Sequence, residues 1–164
     1  MTEAIFNNQD ILQVTPQLVE DLKEKALATP RKRFRLCMHH SLEDQTHEML
    51  IVFHQASFMS PHRHPKGKSE SYHVVEGAMN VYFFNDEGQV IKNIEMGEIG
   101  SGKPFLYRLS ENIWHMPIPT TEWLVYHETY SGPFKKEYDV EFPSWAPQEE
   151  NKKEVQRFLE LLYK

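Results

Sequence analysis

The chain has 164 residues, 40% of them hydrophobic and 12% aromatic, which suits one folded domain spanning residues 1–164 and excludes a disordered chain. Its formal charge of −6 lacks the basic surplus of a nucleic-acid binder, so no nucleic-acid partner is expected. Cys37 is the only cysteine, so no intramolecular disulfide framework can form, and no run approaches the ~18 apolar residues of a membrane helix.

The first residues, MTEAIFNNQDILQ, have neither a basic start nor an apolar run. No signal peptide is expected, and the cytoplasm is the expected compartment. Residues 15–28 predict a short helix, with Thr15 as N-cap, Pro16 in its first turn, and Leu18, Val19, Leu22 and Ala26 as the buried stripe. Thr29-Pro30 ends it, because the residue before proline avoids the helical region.

From residue 31 to about 130 the pattern is β. Phe34, Leu36 and Met38 alternate with Arg33, Arg35 and Cys37. Further strands are expected over 48–58, 71–76, 78–84, 89–96, 105–109, around Trp114, and over 122–130. Gly77 and the turn Asn85-Asp86-Glu87-Gly88 punctuate them. Many short strands without intervening helices predict an antiparallel sandwich or barrel. Residues 148–163 return to helix, with Val155, Phe158, Leu159 and Leu162 on one face.

The chemistry-bearing stretch is Ser60-Pro61-His62-Arg63-His64, followed by Glu70. Residues two apart on a strand point to one face, so His62 and His64 aim both imidazoles at one point. The loop 65–69 turns the chain, and Glu70 opens the next strand with a carboxylate that can return to that point. Two imidazoles and a carboxylate make an open face for one divalent metal ion, with His115 as the natural fourth ligand. Three His and one Glu suit Zn, Fe, Mn or Ni, without choosing among them. In a chain with nine histidines a His-x-His pair alone arises readily by chance. The added Glu and Gly at fixed offsets separate this stretch from a pair of solvated histidines.

Arg31, Arg33 and Arg35 share one strand face. They are candidate substrate-binding residues for a phosphate or carboxylate, against the plainer reading of a solvated face opposite Phe34, Leu36 and Met38. Tyr72 shares the parity of Glu70 and is expected inside the barrel. Tyr72 and Tyr107 are the candidate proton donors, and so the candidate catalytic residues. Tyr82, Phe84, Tyr107, Trp114 and Trp123 are candidates to line the interior, where an aromatic face can stack on a sugar, with Trp114 the candidate substrate-binding residue, against the plainer reading of core filler for most of them.

The spacing His62-x-His64-x5-Glu70-x6-Gly77 resembles the first motif of the cupins. Ser110, Asn112 and His115 stand where the second motif usually reads Pro-x-Gly-x-x-His. The stretches TPRKRFRLCMHH, SPHRHPKGKSESYHVVEG, ETYSGPF and FPSWAP, with Trp114-His115, resemble the WbuC-type cupin metalloproteins over about residues 11–147. That resemblance implies a cupin antiparallel β-barrel, or jelly roll, flanked by a short N-terminal and a C-terminal helix. It also implies a metal site, a homodimer, and a setting in surface-polysaccharide (O-antigen type) biosynthesis with a small carbohydrate-derived ligand. An Fe(II)-dependent dioxygenase, a sugar-nucleotide isomerase or epimerase, and a non-catalytic sugar-binding module stand beside it as alternatives.

Overall fold

A computed structural model of the protein describes residues 3–110 and 112–163. After β1 (Ala4–Phe6) comes helix α1 (Pro16–Ala28), capped by the Thr15 hydroxyl accepting from Leu18 N–H at 3.2 Å. The strands are β2 (Arg33–Cys37), β3 (Thr46–His54), β4 (Glu70–Glu76), β5 (Ala78–Phe84), β6 (Val90–Gly97), β7 (Leu106–Leu109), β8 (Trp114–Pro119) and β9 (Trp123–Ser131). The short helix α2 (Lys136–Asp139) and helix α3 (Lys152–Leu162) complete the chain. Among the described residues no helix is long and apolar enough to cross a membrane.

The strands form two sheets, β1-β2-β3-β9-β4-β7 and β6-β5-β8. Only β1–β2 is a parallel pair among them. Their facing sides enclose a buried cluster that includes Phe53, Val74, Met79, Val81, Phe83, Met96 and Leu124. A second cluster lies outside the larger sheet, where Val19, Leu22 and Ala26 of α1 pack on Phe34, Leu36, Leu50, Val52 and Val125. A third lies outside the smaller sheet, where α3 brings Val155, Phe158, Leu159 and Leu162 onto Tyr82, Phe84, Trp114 and Met116.

Both sheets are therefore covered on both faces, and this reverses several side-chain assignments. On β2 the apolar residues Phe34 and Leu36 face α1, so Arg33, Arg35 and Cys37 point inward. The expected solvated arginine face is a cavity wall. On β5 and β8 the expectation that Tyr82, Phe84 and Trp114 line the interior is corrected. They pack beneath α3, while Phe83 and His115, of opposite parity, face in. The strand expected over 48–58 ends at His54, and Phe58 packs against α3. The three-residue β1 and the four-residue α2 were too short to leave a periodic signal.

Gly77 joins β4 to β5 at φ +80°, and a Cβ there would stand 2.2 Å from the Trp123 carbonyl oxygen. Backbone cannot yield as a side-chain tip can. Gly77→Ala is therefore expected to cost roughly 2–4 kcal/mol, left-handed strain plus overpacking, read as a fall in the urea midpoint. Gly67 also has positive φ (+89°) but open space around it, so Gly67→Ala should cost only about 1 kcal/mol.

Candidate metal centre

Four side chains from three parts of the chain meet inside the barrel. The segment carrying His62 and His64 bridges to β8, with His62 N–H donating to the His115 carbonyl at 3.0 Å and His115 N–H to the His62 carbonyl at 2.9 Å. The same segment is held on its other side by reciprocal backbone hydrogen bonds between Arg63 and Glu141. Glu70 is the first residue of β4, paired with Tyr130 of β9 and Leu109 of β7. The structure thus brings His62, His64, Glu70 and His115 together, all buried, with one ligand atom from each lying within 4.8 Å of the others.

The orientation of each imidazole is set from behind. Nδ1 of His62 lies 3.1 Å from the Ser60 carbonyl, that of His64 2.6 Å from the Asp139 carbonyl, and that of His115 3.0 Å from the Ile113 carbonyl. A carbonyl only accepts, so each Nδ1 carries a proton; a neutral ring then turns an Nε2 lone pair to the site, and a charged His64 carries its second proton there. Two of these Nε2 atoms face a carboxylate. His64 Nε2 is 3.2 Å from Glu70 Oε2 and His115 Nε2 is 2.9 Å from Oε1. Yet neither Nε2, nor Glu70 Oε2, has a hydrogen-bond partner, although they lie among the four clustered ligand atoms. Buried polar atoms left unpaired cost free energy, and a cation among them would satisfy all of them. Ligands about 2.1 Å from a metal sit roughly 3.0–3.4 Å apart, and the two Glu70 contacts, at 3.2 and 2.9 Å, lie at or just below that spacing. The donor set of three imidazoles and a carboxylate fits a divalent transition metal.

The electrostatics agree. Burial pushes the His62 imidazole down to about 3, helped by His115 and His64, so it is neutral and ready to bind. Burial opposes ionisation of Glu70, but His115 and His64 beside it outweigh that and hold its carboxyl below the ordinary range. Burial likewise opposes a charged His64, and Glu70 outweighs it, raising this imidazole in the metal-free protein. The proton on His64 is what a metal ion would displace.

A cavity of about 230 Å³ opens from His62 and His64, with Tyr72, Glu128, Met49 and Arg35 in its wall. A further hollow of about 340 Å³ continues outward past Arg35 and Phe142. Arg31, Arg33 and Arg35 all line both spaces. Arg33 Nη2 is bound to both Glu149 oxygens at 3.0 and 2.9 Å, and Arg31 pairs with Glu3 and, at 3.5 Å, with Glu149. Tyr72 is fully buried in the cavity wall, and the Tyr107 hydroxyl points at Glu70 Oε1 from 3.4 Å. Burial raises both phenols well above 10, so they remain donors that do not ionise. Trp114 does not line the cavity. Its indole donates to Asp86 at 2.9 Å and lies under the Arg63 guanidinium at 4.1 Å, on the face of β8 opposite His115.

Glu128 escaped the sequence reading. On β9 it pairs with Met49 on one side and Tyr72 on the other, two residues before Tyr130, the partner of Glu70. It is therefore a diagonal neighbour of Glu70, roughly 7–8 Å away at the backbone. It is half-buried and lines the cavity. Burial, reinforced by the Glu70 charge, pushes its carboxyl up to about 7. The available signal was a charged residue sharing parity with Leu124, Tyr126 and Tyr130 on an otherwise apolar strand face.

The family described as "Domain of unknown function (DUF6016)" matches residues 14–96. No curated protein matches. Among solved structures the chain is similar to protein SO0799 from Shewanella oneidensis, with a TM-score of 0.56 at 11% identity over 70% of this chain and 75% of that one. It is also similar to an oxalate oxidase in complex with the substrate analogue glycolate, with a TM-score of 0.51 at 12% identity over 70% of this chain and 57% of that one. The Cnp3 cupin domain of Schizosaccharomyces pombe gives 0.46 at 9% identity, over 61% of each chain. The chain thus spans less than two thirds of the oxalate oxidase and of the Cnp3 domain. At these identities the likenesses to SO0799 and the oxalate oxidase show the fold alone, a cupin-type antiparallel barrel.

Proposed function

We infer the function of this chain, which belongs to the DUF6016 family, from the convergence of its four buried ligand atoms. We propose that it is a cupin holding one divalent metal ion on His62, His64, Glu70 and His115. In this reading it acts on, or binds, a small polar, carbohydrate-derived molecule of surface-polysaccharide biosynthesis. The observation that carries the metal is the set of unpaired Nε2 and carboxylate atoms among the four clustered ligand atoms. The polysaccharide setting, a cytoplasmic location and a homodimer rest on the WbuC-type resemblance alone.

A bound metal would supply Lewis-acid polarisation of a substrate carbonyl or hydroxyl. The chain's own residues do the rest. Tyr107, through its hydroxyl, holds the Glu70 carboxylate in place. Tyr72 and Met49 shape the inner cavity. Glu128, with its carboxyl raised to about 7, is better matched than either tyrosine to hold or move a proton near neutral pH. Arg31 and Arg33 are occupied by Glu3 and Glu149, which argues against the sugar-nucleotide alternative, because a diphosphate needs several free cations.

The test is elemental analysis of protein purified without chelator or an affinity-metal column, beside a His62→Ala, His64→Ala variant. One equivalent of metal in the natural protein and a tenth or less in the variant is the expected result. The identity of the metal would then separate redox from Lewis-acid chemistry. Absence of metal from both, after offering Fe, Mn, Ni and Zn, would overturn the reading.

A further inference from the structure

We propose that the cavity beside the metal ligands takes a small molecule bearing a carboxylate, and that Arg35 receives its acid group. The proposal rests on the metal-binding reading above and adds a class of ligand to it. Arg35 faces inward from β2, in the backbone row Arg35–Ile51–Tyr126 that crosses the sheet to the strand carrying Glu128. It lines both the inner cavity and the outer hollow, so it stands at their junction.

The three arginines of this face differ in what they hold. Arg33 is fixed by Glu149 and by the Phe58 carbonyl at 2.6 Å, and Arg31 by Glu3 and Glu149. Arg35 makes no side-chain hydrogen bond or ion pair among the described residues. No ion pair joins it to Glu128, although the two are near enough for the guanidinium to draw the Glu128 carboxyl down against its burial. A guanidinium left free in the wall of a cavity is a fork of parallel N–H donors for a planar carboxylate. Lys136 lines the outer hollow, and its charge adds to a potential that draws anions inward.

The surrounding charge selects the kind of anion. With Arg31 and Arg33 neutralised, the inner wall offers one free guanidinium among the described residues, with Glu128 on the same sheet wall two strands away. A monoanion balances that arrangement. A dianionic phosphate would be left with surplus charge beside Glu128 and Glu149. The inner volume, about 230 Å³, is below the roughly 300–1,000 Å³ of sites for drug-sized ligands, so the part reaching His62 and His64 is small. A hydroxy acid, keto acid or sugar acid has this form, with an acid group for Arg35 and a hydroxyl or carbonyl for the metal centre.

Titration calorimetry tests this on the full chain, loaded with Mn(II) or Zn(II) to a measured stoichiometry. The probes are glucuronate against glucose, glycolate against ethylene glycol, and inorganic phosphate. Both carboxylates should bind at least tenfold tighter than their neutral counterparts and tighter than phosphate. Arg35→Gln should lower carboxylate affinity at least tenfold while leaving metal content and melting temperature unchanged, since Arg35 is exposed and has no side-chain partner among the described residues. Arg35→Lys should recover part of the loss, because it keeps the charge without the fork. Equal binding of acid and neutral partners, preference for phosphate, an Arg35→Gln variant that binds carboxylates unchanged, or no binding by any probe would each overturn the proposal. Failure of the metal reading shows separately, as absence of metal by elemental analysis. The same titration on metal-free protein then still reads the dependence on Arg35.

Discussion

Glu70→Gln is expected to reduce divalent-metal affinity at least a hundredfold while leaving a folded barrel. The substitution keeps the shape of a buried side chain and removes the one negative charge among the ligands. Loss of an outer contact to a ligand typically costs 10–100-fold, and loss of the carboxylate itself should exceed that. In the natural protein, metal at about a thousand times its dissociation constant stabilises the fold by about 4 kcal/mol. For a chain of this length that corresponds to a rise of roughly 8–16 °C in melting temperature, which the variant should lack.

The pH dependence carries a distinct signature. His64 is raised above its ordinary 6.5 in the metal-free protein, by Glu70 against burial. Its charged form therefore stabilises the metal-free fold fully below the unfolded value, and this contribution is lost as pH rises through the folded one. A metal ion replaces that proton, so the melting increment on metal loading should grow between pH 6 and pH 8. Glu70→Gln should flatten it. Thermal melts with and without chelator at both pH values make the comparison.

Glu128→Gln is expected to stabilise the metal-free protein at alkaline pH. A carboxyl raised from 4.5 to about 7 takes up a proton on folding. Above about pH 7 the natural chain must bury the charge or pay for a proton from water. The rise corresponds to an upper bound of roughly 3 kcal/mol, discounted to about 2 kcal/mol because Glu128 is only half-buried. A gain of roughly 4–8 °C at pH 8 is expected, shrinking towards pH 5, where Glu128 is protonated in the natural protein. Metal loading should also shrink it, because positive charge beside Glu70 favours the ionised form. A variant no more stable at pH 8 than at pH 5 would show that Glu128 is not held in this state. A carboxyl kept at a cost in stability is what a site retained for chemistry or binding looks like.

The ligand set was legible in the sequence because its geometry is local. Two residues apart on one strand fixes the shared direction of His62 and His64, and the short loop 65–69 returns Glu70 to the same end of the barrel. Helix α1 was legible for the same reason, from Thr15, Pro16 and the 3.6-residue stripe ending at Ala26. His115 was placed by its motif position, and only the reciprocal His62–His115 backbone bridge explains why it arrives there.

Which face of a strand looks inward is not local. Phe34 and Leu36 read as the core face, but α1 covers the outer side of β2 and claims them, leaving the arginines to the cavity. Helix α3 does the same to Tyr82, Phe84 and Trp114. Period-2 alternation separates two faces and cannot say which is outside when a helix covers each. Glu128 shows the same limit across strands. Its parity was visible along β9, but its place beside Glu70 exists only because β9 lies between β3 and β4, a pairing of segments far apart in the chain. The sequence by itself determined the four candidate metal ligands and the strands that carry Glu70 and His115. The tertiary structure alone decided what faces those ligands across the cavity, because long-range strand order and helix cover, not local pattern, assign each side chain its surroundings.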